Sequence, residues 1–309
     1  MTVPHPLIRG VSPVLETPFG ADESVDVDGF GRIVEHVLAT GVTSVMFPGF
    51  ASEFLKLSDA ERHELQTALL ARTAGRDDVA AIVSIPEHAT LLACRHAARA
   101  VEDGADAINL LPPYQLGPTG DAVRAHLTAV LDAVFPAPVV LQYAPAQTGT
   151  ALDPGLIATI AADHGNLAFV KVEATPPGRL IAALRDTSPS VPALVGYGGL
   201  QLMDALRRGA VGVQPGCSFT ELYLQIWAKW ESGDLDSATV LHTRMVPYLS
   251  YWMQSVELIV AAEKLVSMRR GLTRSPLCRR PAYSLDAEET SMIDRFLAEF
   301  ATELPTVAA

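Results

Sequence analysis

A lysine set inside an apolar run is the first residue of this sequence whose type and place could do chemistry. It is Lys171, in "FVKVEAT" (residues 169–175). An unpaired ammonium in a buried strand loses its hydration, at a cost of several kcal/mol or more, unless it is neutralised or given a partner. The chain has only three other lysines, Lys56, Lys229 and Lys264, each in a mixed or amphipathic segment that can reach water. Arginine carries nearly all the remaining positive charge, so lysine here points to an amine that can lose its proton. Desolvation disfavours the charged form of an amine and leaves a nucleophile toward carbonyls, with a Schiff base as product. Such an imine is an electron sink that eases C–C or C–O cleavage beside the original carbonyl. A lysine at a strand end that reaches water, or pairs with Glu173, is the alternative that the residues leave open.

Side chains alternate along a strand, so Phe169, Lys171 and Glu173 share one face and Val170 and Val172 take the other. With the valines toward covering helices, Lys171 and Glu173 point inward, Glu173 nearer the C-terminal end. In "VVLQYAP" (residues 139–145) the same period groups Val139, Leu141 and Tyr143, with Tyr143 at the strand end. A tyrosine one strand away from a reactive lysine is a candidate proton relay.

The elements that would position these residues alternate short β-like runs with longer helical patterns. Strands are expected at 12–15, 44–47, 79–84, 107–111, 139–143, 168–172, 193–195 and 211–214. Between them lie amphipathic segments with recognisable ends, such as "LSDAERHELQTALLARTAG", where Ser58 and Glu61 form a capping box and Gly75 closes the helix. Eight β-then-α units in series predict a parallel sheet closed as a TIM barrel. No GxGxxG follows the first strand, which argues against a doubly wound dinucleotide fold. From residue 222 onward only helical patterns remain. The expected organisation is a (β/α)8 barrel over 1–221 and a C-terminal helical extension over 222–309.

The chain has 309 residues, 49% hydrophobic and 19% charged, enough apolar material for one large core and unlike a disordered chain. A net charge of −12 argues against a nucleic-acid footprint. Cys94, Cys217 and Cys278 are odd in number and widely spaced, with no metal or disulfide pattern. No signal-like N-terminus or uninterrupted apolar span is read, so the expectation is a cytoplasmic protein that does not cross a membrane.

In order along the chain, "VLETPF", "GFASEF" (residues 49–54), "GADAINLLPPY" (104–114), "LQYAPAQTG" (141–149) and "FVKVEAT" resemble the dihydrodipicolinate synthase/N-acetylneuraminate lyase family of Schiff-base (class I) aldolases. The resemblance covers nearly the whole chain. It implies a (β/α)8 barrel, a homo-oligomer (tetramer or dimer), no metal or organic cofactor, and an imine to a small 2-oxo acid such as pyruvate. By position, Lys171 matches the family's imine-forming lysine and Tyr143 its proton-relay tyrosine.

The chain also departs from the family pattern. The loop after the second strand, usually Gly-Thr-Thr-Gly-Glu or Gly-Ser-Thr-Gly-Glu, reads Gly49-Phe50-Ala51-Ser52-Glu53, leaving Ser52 as its sole hydroxyl. Paired tyrosines are reduced to Tyr114 followed by Gln115, and Gln147 stands where a substrate-binding arginine is usual. Val172 interrupts the usual lysine–glutamate pair and turns Glu173 to the lysine's own face. These changes argue against the synthase activity that names the family. The expected pocket is lined by Gly49, Phe50, Ala51, Ser52, Glu173, Tyr114 and Gln147, with Gly196 and Gln214 at the ends of strands seven and eight. The expected function is a lyase of aldolase type. A dehydratase of a 2-keto-3-deoxy sugar acid by the same imine chemistry, or a catalytically weakened metabolite-binding barrel, are the alternatives.

Overall fold

The computed structural model describes residues 5–114, 116–149, 151–304 and 306–307, so Gln115 lies outside the described residues. Its eight strands are β1 (Gly10–Val11), β2 (Ser44–Phe47), β3 (Ala80–Ile85), β4 (Ala107–Leu110), β5 (Val139–Tyr143), β6 (Leu167–Val172), β7 (Ala193–Val195) and β8 (Gly212–Val213). All neighbours pair in parallel, in the order β1-β8-β7-β6-β5-β4-β3-β2. Val14, just past β1, bridges both Met46 and Gly216 and closes the ring. The eight-stranded barrel expected from the alternating pattern is therefore present.

β1 differs from its expected place at 12–15. Pro13 has no N–H to give to the ladder, so regular pairing stops at Val11 and resumes only as the single bridge at Val14. Pro13 still contributes its carbonyl, which accepts from Met46 N (2.9 Å).

Strand alternation sorts the side chains into two layers. Ile82, Ala107, Val140, Phe169 and Leu194 fill the barrel interior with Val14 and Met46. Val83, Ile108, Leu141, Val170, Val172 and Val195 face the surrounding helices. Towards the C-terminal ends of the strands the inner positions become polar and stay buried: Ser12, Ser84, Asn109, Gln142, Lys171 and Gln214.

The helix Asp59–Thr73 starts at the expected capping box, with Ser58 Oγ accepting from Glu61 N and Glu61 accepting from Ser58 N. The helix Thr220–Glu231 follows β8 and completes the outer ring, its Trp227 ring packed against Gly10 of β1. It straddles the expected boundary at residue 222, with most of its length in the span assigned to the extension. Three further helices follow, Leu235–Trp252, Val256–Arg270 and Ala287–Glu299. Phe219, Trp252, Phe296 and Phe300, all buried, and the half-buried Tyr248 form an aromatic cluster that joins the first and last of these helices to the barrel, with ring centroids 4.9–6.4 Å apart. Among the described residues, no helix is long and apolar enough to cross a membrane.

Candidate active site

Where β6 ends, period-2 alternation brings Lys171 and Glu173 to the inner face, as the sequence requires. Lys171 Nζ lies 3.5 Å from Glu173 Oε1, and both side chains are almost wholly buried (4% and 11% exposed). The second glutamate oxygen, Oε2, accepts from Gln142 Nε2 (2.8 Å). Gln142 Oε1 accepts in turn from Asn109 Nδ2 (2.9 Å), which is also 2.8 Å from Ser84 Oγ. A chain of amides and a hydroxyl thus runs across β3, β4 and β5 and fixes the carboxylate beside the ammonium. The donors of Gln142 and Asn109 are directed along this chain, which holds the carboxylate in one orientation, although Asn109 Oδ1 finds no partner among the described residues.

Tyr143 is not part of this arrangement. It stands in register with Val172, and Gln142 stands in register with Lys171. Paired positions on neighbouring strands point the same way, so Tyr143 goes outward with Val170 and Val172 into the layer beneath the helices. The expected lysine–tyrosine pair is corrected to a lysine–glutamine pair: Gln142, not Tyr143, is the β5 side chain beside Lys171. The phenol that does reach the cleft is Tyr197, after β7. Its hydroxyl pairs with Gln147, whose Nε2 donates across 2.7 Å and whose Oε1 lies 3.0 Å away. Tyr197 adopts φ 52°, a left-handed conformation uncommon for a tyrosine and of the kind that gathers at ligand sites.

These groups border a cleft at the C-terminal mouth of the barrel. Val14, Phe50 and Ala51 form its apolar side, and Gln147, Lys171, Glu173, Tyr197 and Gln214 its polar side. Met253, Val256, Ile259 and Glu263 close it from above. The last three recur at helical spacing, so one face of the helix Val256–Arg270 roofs the cleft.

The other expected residues have different places. Ser52 is fully buried beneath its loop, donating to Leu15 O (2.5 Å) and accepting from Gly49 N (2.9 Å), while Thr17 Oγ1 donates to Ser52 O (2.7 Å). It supports the loop and does not line the cleft. Gly49 is likewise behind the wall, packed against Val14 and Met46. Tyr114 is half-buried in the loop after β4 and does not line the cleft. Gly196 leaves room for Glu173: a Cβ there would come within 2.7 Å of Oε1. Gln214 donates to Ser12 Oγ (3.2 Å), and its buried Oε1 has no hydrogen-bond partner among the described residues.

Glu53, also left-handed at φ 55°, ties this loop to the roof. Its carboxylate accepts from Lys264 Nζ of the helix Val256–Arg270, from Lys56 Nζ (3.0 Å) and from Arg279 N (3.1 Å). Lys264 Nζ also donates to Leu277 O (2.9 Å) and lies 4.2 Å from the centre of the Phe19 ring.

Glu263 was not identified among the candidate site residues, although an acid on the same face as Val256 and Ile259 was a readable signal. Burial pushes its carboxyl up to about 8, with the nearby Glu16 charge adding to the rise and the Ser218 hydrogen bond opposing it. Burial likewise raises Glu16 to about 7, offset in part by Ser267 and Lys264. In the unfolded chain both carboxyls return to about 4.5. The folded state therefore holds protons that the unfolded state releases, and stability falls as pH rises from about 5 to about 8. Each group contributes roughly 1.4 kcal/mol per pH unit between its unfolded and folded values, so the loss should reach several kcal/mol, and Glu263→Gln should remove its share and leave that of Glu16; urea titrations across that window provide the measurement.

The chain's relatives agree with this geometry at the level of the fold. The profile of the "Dihydrodipicolinate synthetase family" matches residues 7–299. The chain belongs to this family. A 4-hydroxy-tetrahydrodipicolinate synthase of Xanthomonas axonopodis pv. citri is 30% identical over 94% of this chain and 94% of its own length. One from Methanopyrus kandleri is 29% identical over 87% and 90%. Among solved structures, a putative dihydrodipicolinate synthetase from Pseudomonas aeruginosa superposes with a TM-score of 0.87 at 28% identity, covering 94% of this chain and 99% of that one. A prophage protein of the same family from E. coli K12, solved in complex with pyruvate, gives 0.86 at 23% identity, covering 95% and 98%. The family is one of aldolase-type lyases, so an enzyme of that broad class is the setting in which Lys171, Gln142 and the roof of the cleft are to be understood.

Proposed function

We propose that this chain is a Schiff-base-forming lyase acting on a small 2-oxo acid, with Lys171 as the nucleophile. The observation that carries the reading is the buried Lys171 ammonium, held 3.5 Å from a carboxylate inside a cleft at the barrel mouth. Active sites of such barrels gather at that mouth. Once Lys171 passes a proton to Glu173, its free amine attacks the ligand's carbonyl carbon. The resulting carbinolamine loses water to give the imine, whose nitrogen withdraws electrons from the adjacent bond. Loss of the proton from a hydroxyl on the carbon β to the imine carbon breaks the bond between the α and β carbons, releasing an aldehyde and leaving an enamine; protonation of the enamine carbon and hydrolysis of the imine then release the oxo acid and regenerate the amine.

Glu173 is the group proposed to move protons through these steps, because it shares the lysine's face and Gln142 fixes its second oxygen. Phe50 and Ala51 favour a substrate that is less polar near their loop. The roles of the two rejected and retained proton carriers separate by mutation. Tyr143→Phe should leave turnover within about threefold of wild type, since that hydroxyl lies in the outer layer. Glu173→Gln should lower it by about 10²- to 10⁴-fold, the usual worth of a positioned acid–base group. Steady-state kinetics on both variants gives the comparison, and a larger loss for Tyr143→Phe would refute the assignment.

The reading itself is tested by borohydride reduction in the presence of pyruvate and a panel of other oxo acids, followed by intact mass and peptide mapping. A mass gain of one reduced substrate on the peptide containing Lys171 is expected. Absence of that adduct with every compound would remove the imine reading in favour of a binding barrel.

A further inference from the structure

The cleft has an electrostatic peculiarity. Among the described residues lining it, the only cation is Lys171, already paired with Glu173, and the remaining ionisable acid is Glu263. No guanidinium borders the space, and the loop of Phe50 and Ala51 offers no hydroxyl. Once the lysine is committed to an imine, an acceptor oxygen elsewhere on the ligand must be met by a neutral donor.

Glu263 is built into that position. It lies on the roofing face of the helix Val256–Arg270, against the backbone of Gly216, where a side chain of any size would collide with its carboxyl. Ser218 Oγ donates to Oε2 (3.2 Å), and Ser218 is itself held by Arg270 Nη1, which donates to its carbonyl (2.5 Å). With Oε2 occupied as an acceptor, Oε1 is the oxygen that can carry a proton into the cleft.

We propose that Glu263 is a specificity-determining residue of the cleft, donating its carboxyl proton to an acceptor oxygen of the bound oxo acid and admitting that anion only while it is neutral. This rests on the imine reading for Lys171, through which occupancy is measured. A buried carboxyl in neutral form is a strong donor, whereas the same group ionised repels an anionic ligand in a low-dielectric space.

Several titratable groups surround Glu263, and one of them, Glu16, at about 7, ionises at the low end of the range tested in wild type and variants alike. Glu16, from the segment after β1, adds repulsion but does not line the cleft. Cys217 after β8 and Tyr223 of the helix Thr220–Glu231 are both pushed well above their ordinary values by burial and stay neutral. Lys171 and Glu173 of β6 and Tyr197 after β7 border the same cleft and are common to wild type and variants.

The test measures the rate of adduct formation with pyruvate, trapped by cyanoborohydride, as pH is raised. In wild type the rate should fall about tenfold from about pH 7 to about pH 9, one decade for each pH unit beyond the ionisation of a single group near 8. Glu263→Gln keeps a neutral donor of the same shape, so its rate should stay within about threefold across that range. Ser218→Ala, which removes a donor to the ionised carboxylate, should shift the wild-type fall to higher pH and serves where the glutamine variant does not fold. Parallel profiles for wild type and Glu263→Gln, or an unmoved midpoint in Ser218→Ala, overturn the proposal and leave the imine reading standing. A wild type that forms no adduct at any pH overturns both.

Discussion

Lys171→Met is expected to give a folded protein that forms no borohydride-trapped adduct and has lost turnover by at least about 10³-fold. Methionine matches the lysine stem in length and polarisability, so the inner layer of the barrel keeps its volume. What disappears is the amine. Glu173 would lose its counter-charge yet keep the hydrogen bond from Gln142, so far-UV circular dichroism should be unchanged and the thermal midpoint lowered. Lys171→Arg sharpens the result. Arginine restores the charge facing Glu173 but cannot give up its proton, so a role in charge pairing alone would be rescued and a nucleophilic role would not. Recovery of more than about a tenth of wild-type turnover in Lys171→Arg would contradict the assignment.

The second large effect concerns stability. Glu53→Gln should cost roughly 3–5 kcal/mol, the range for removing one partner of a buried ion pair. Lys264 is only 3% exposed and Glu53 only 1%, so neither finds water when the other is altered. Lys56 is less affected because Glu257 also binds it (2.7 Å). The glutamine amide would also turn a donor toward either Lys264 or Arg279 N. Denaturant unfolding monitored by tryptophan fluorescence measures the loss. The double variant with Lys264→Met should recover much of it, since no uncompensated charge then remains. A cost below about 1 kcal/mol for the single variant would mean that the pair is more hydrated than its burial indicates.

Much of the barrel could be read from the order of strand and helix patterns, and the inward pair of Lys171 and Glu173 from simple alternation. The error at Tyr143 shows what alternation leaves undecided. It groups residues by face but does not say which face is inside. In β5 one face carries Val139, Leu141 and Tyr143 and the other Val140, Gln142 and Ala144, and an attractive phenol drew the choice toward the first. The physical signal lay in the second: a glutamine in the middle of a buried strand requires partners, and only the barrel interior supplied Asn109 and Glu173. Pro13 likewise contained the reason for the displaced first strand. Of the loop residues 49–52 expected in the pocket, Phe50 and Ala51 border the cleft, whereas Gly49 and Ser52 lie behind it; Ser52, like the neighbouring Glu53, is a support, because their partners come from residues as distant in sequence as Leu15, Lys264 and Arg279. Glu263 and Tyr197 reach the cleft through tertiary packing of segments whose local patterns carry no catalytic motif.

The roof of the cleft has an evolutionary consequence. The proposed nucleophile stands on a strand whose inner residues are locked into the hydrogen-bonded interior, whereas Met253, Val256 and Ile259 come from or just before a separate helix, Val256–Arg270, fastened through Lys264 and Glu53. Reactivity and ligand shape are thereby written on different parts of the chain. Changes along the roofing face can alter which molecules fit without disturbing Lys171, and so one scaffold can diversify its substrates by drift in a helix while its chemistry is kept by a strand.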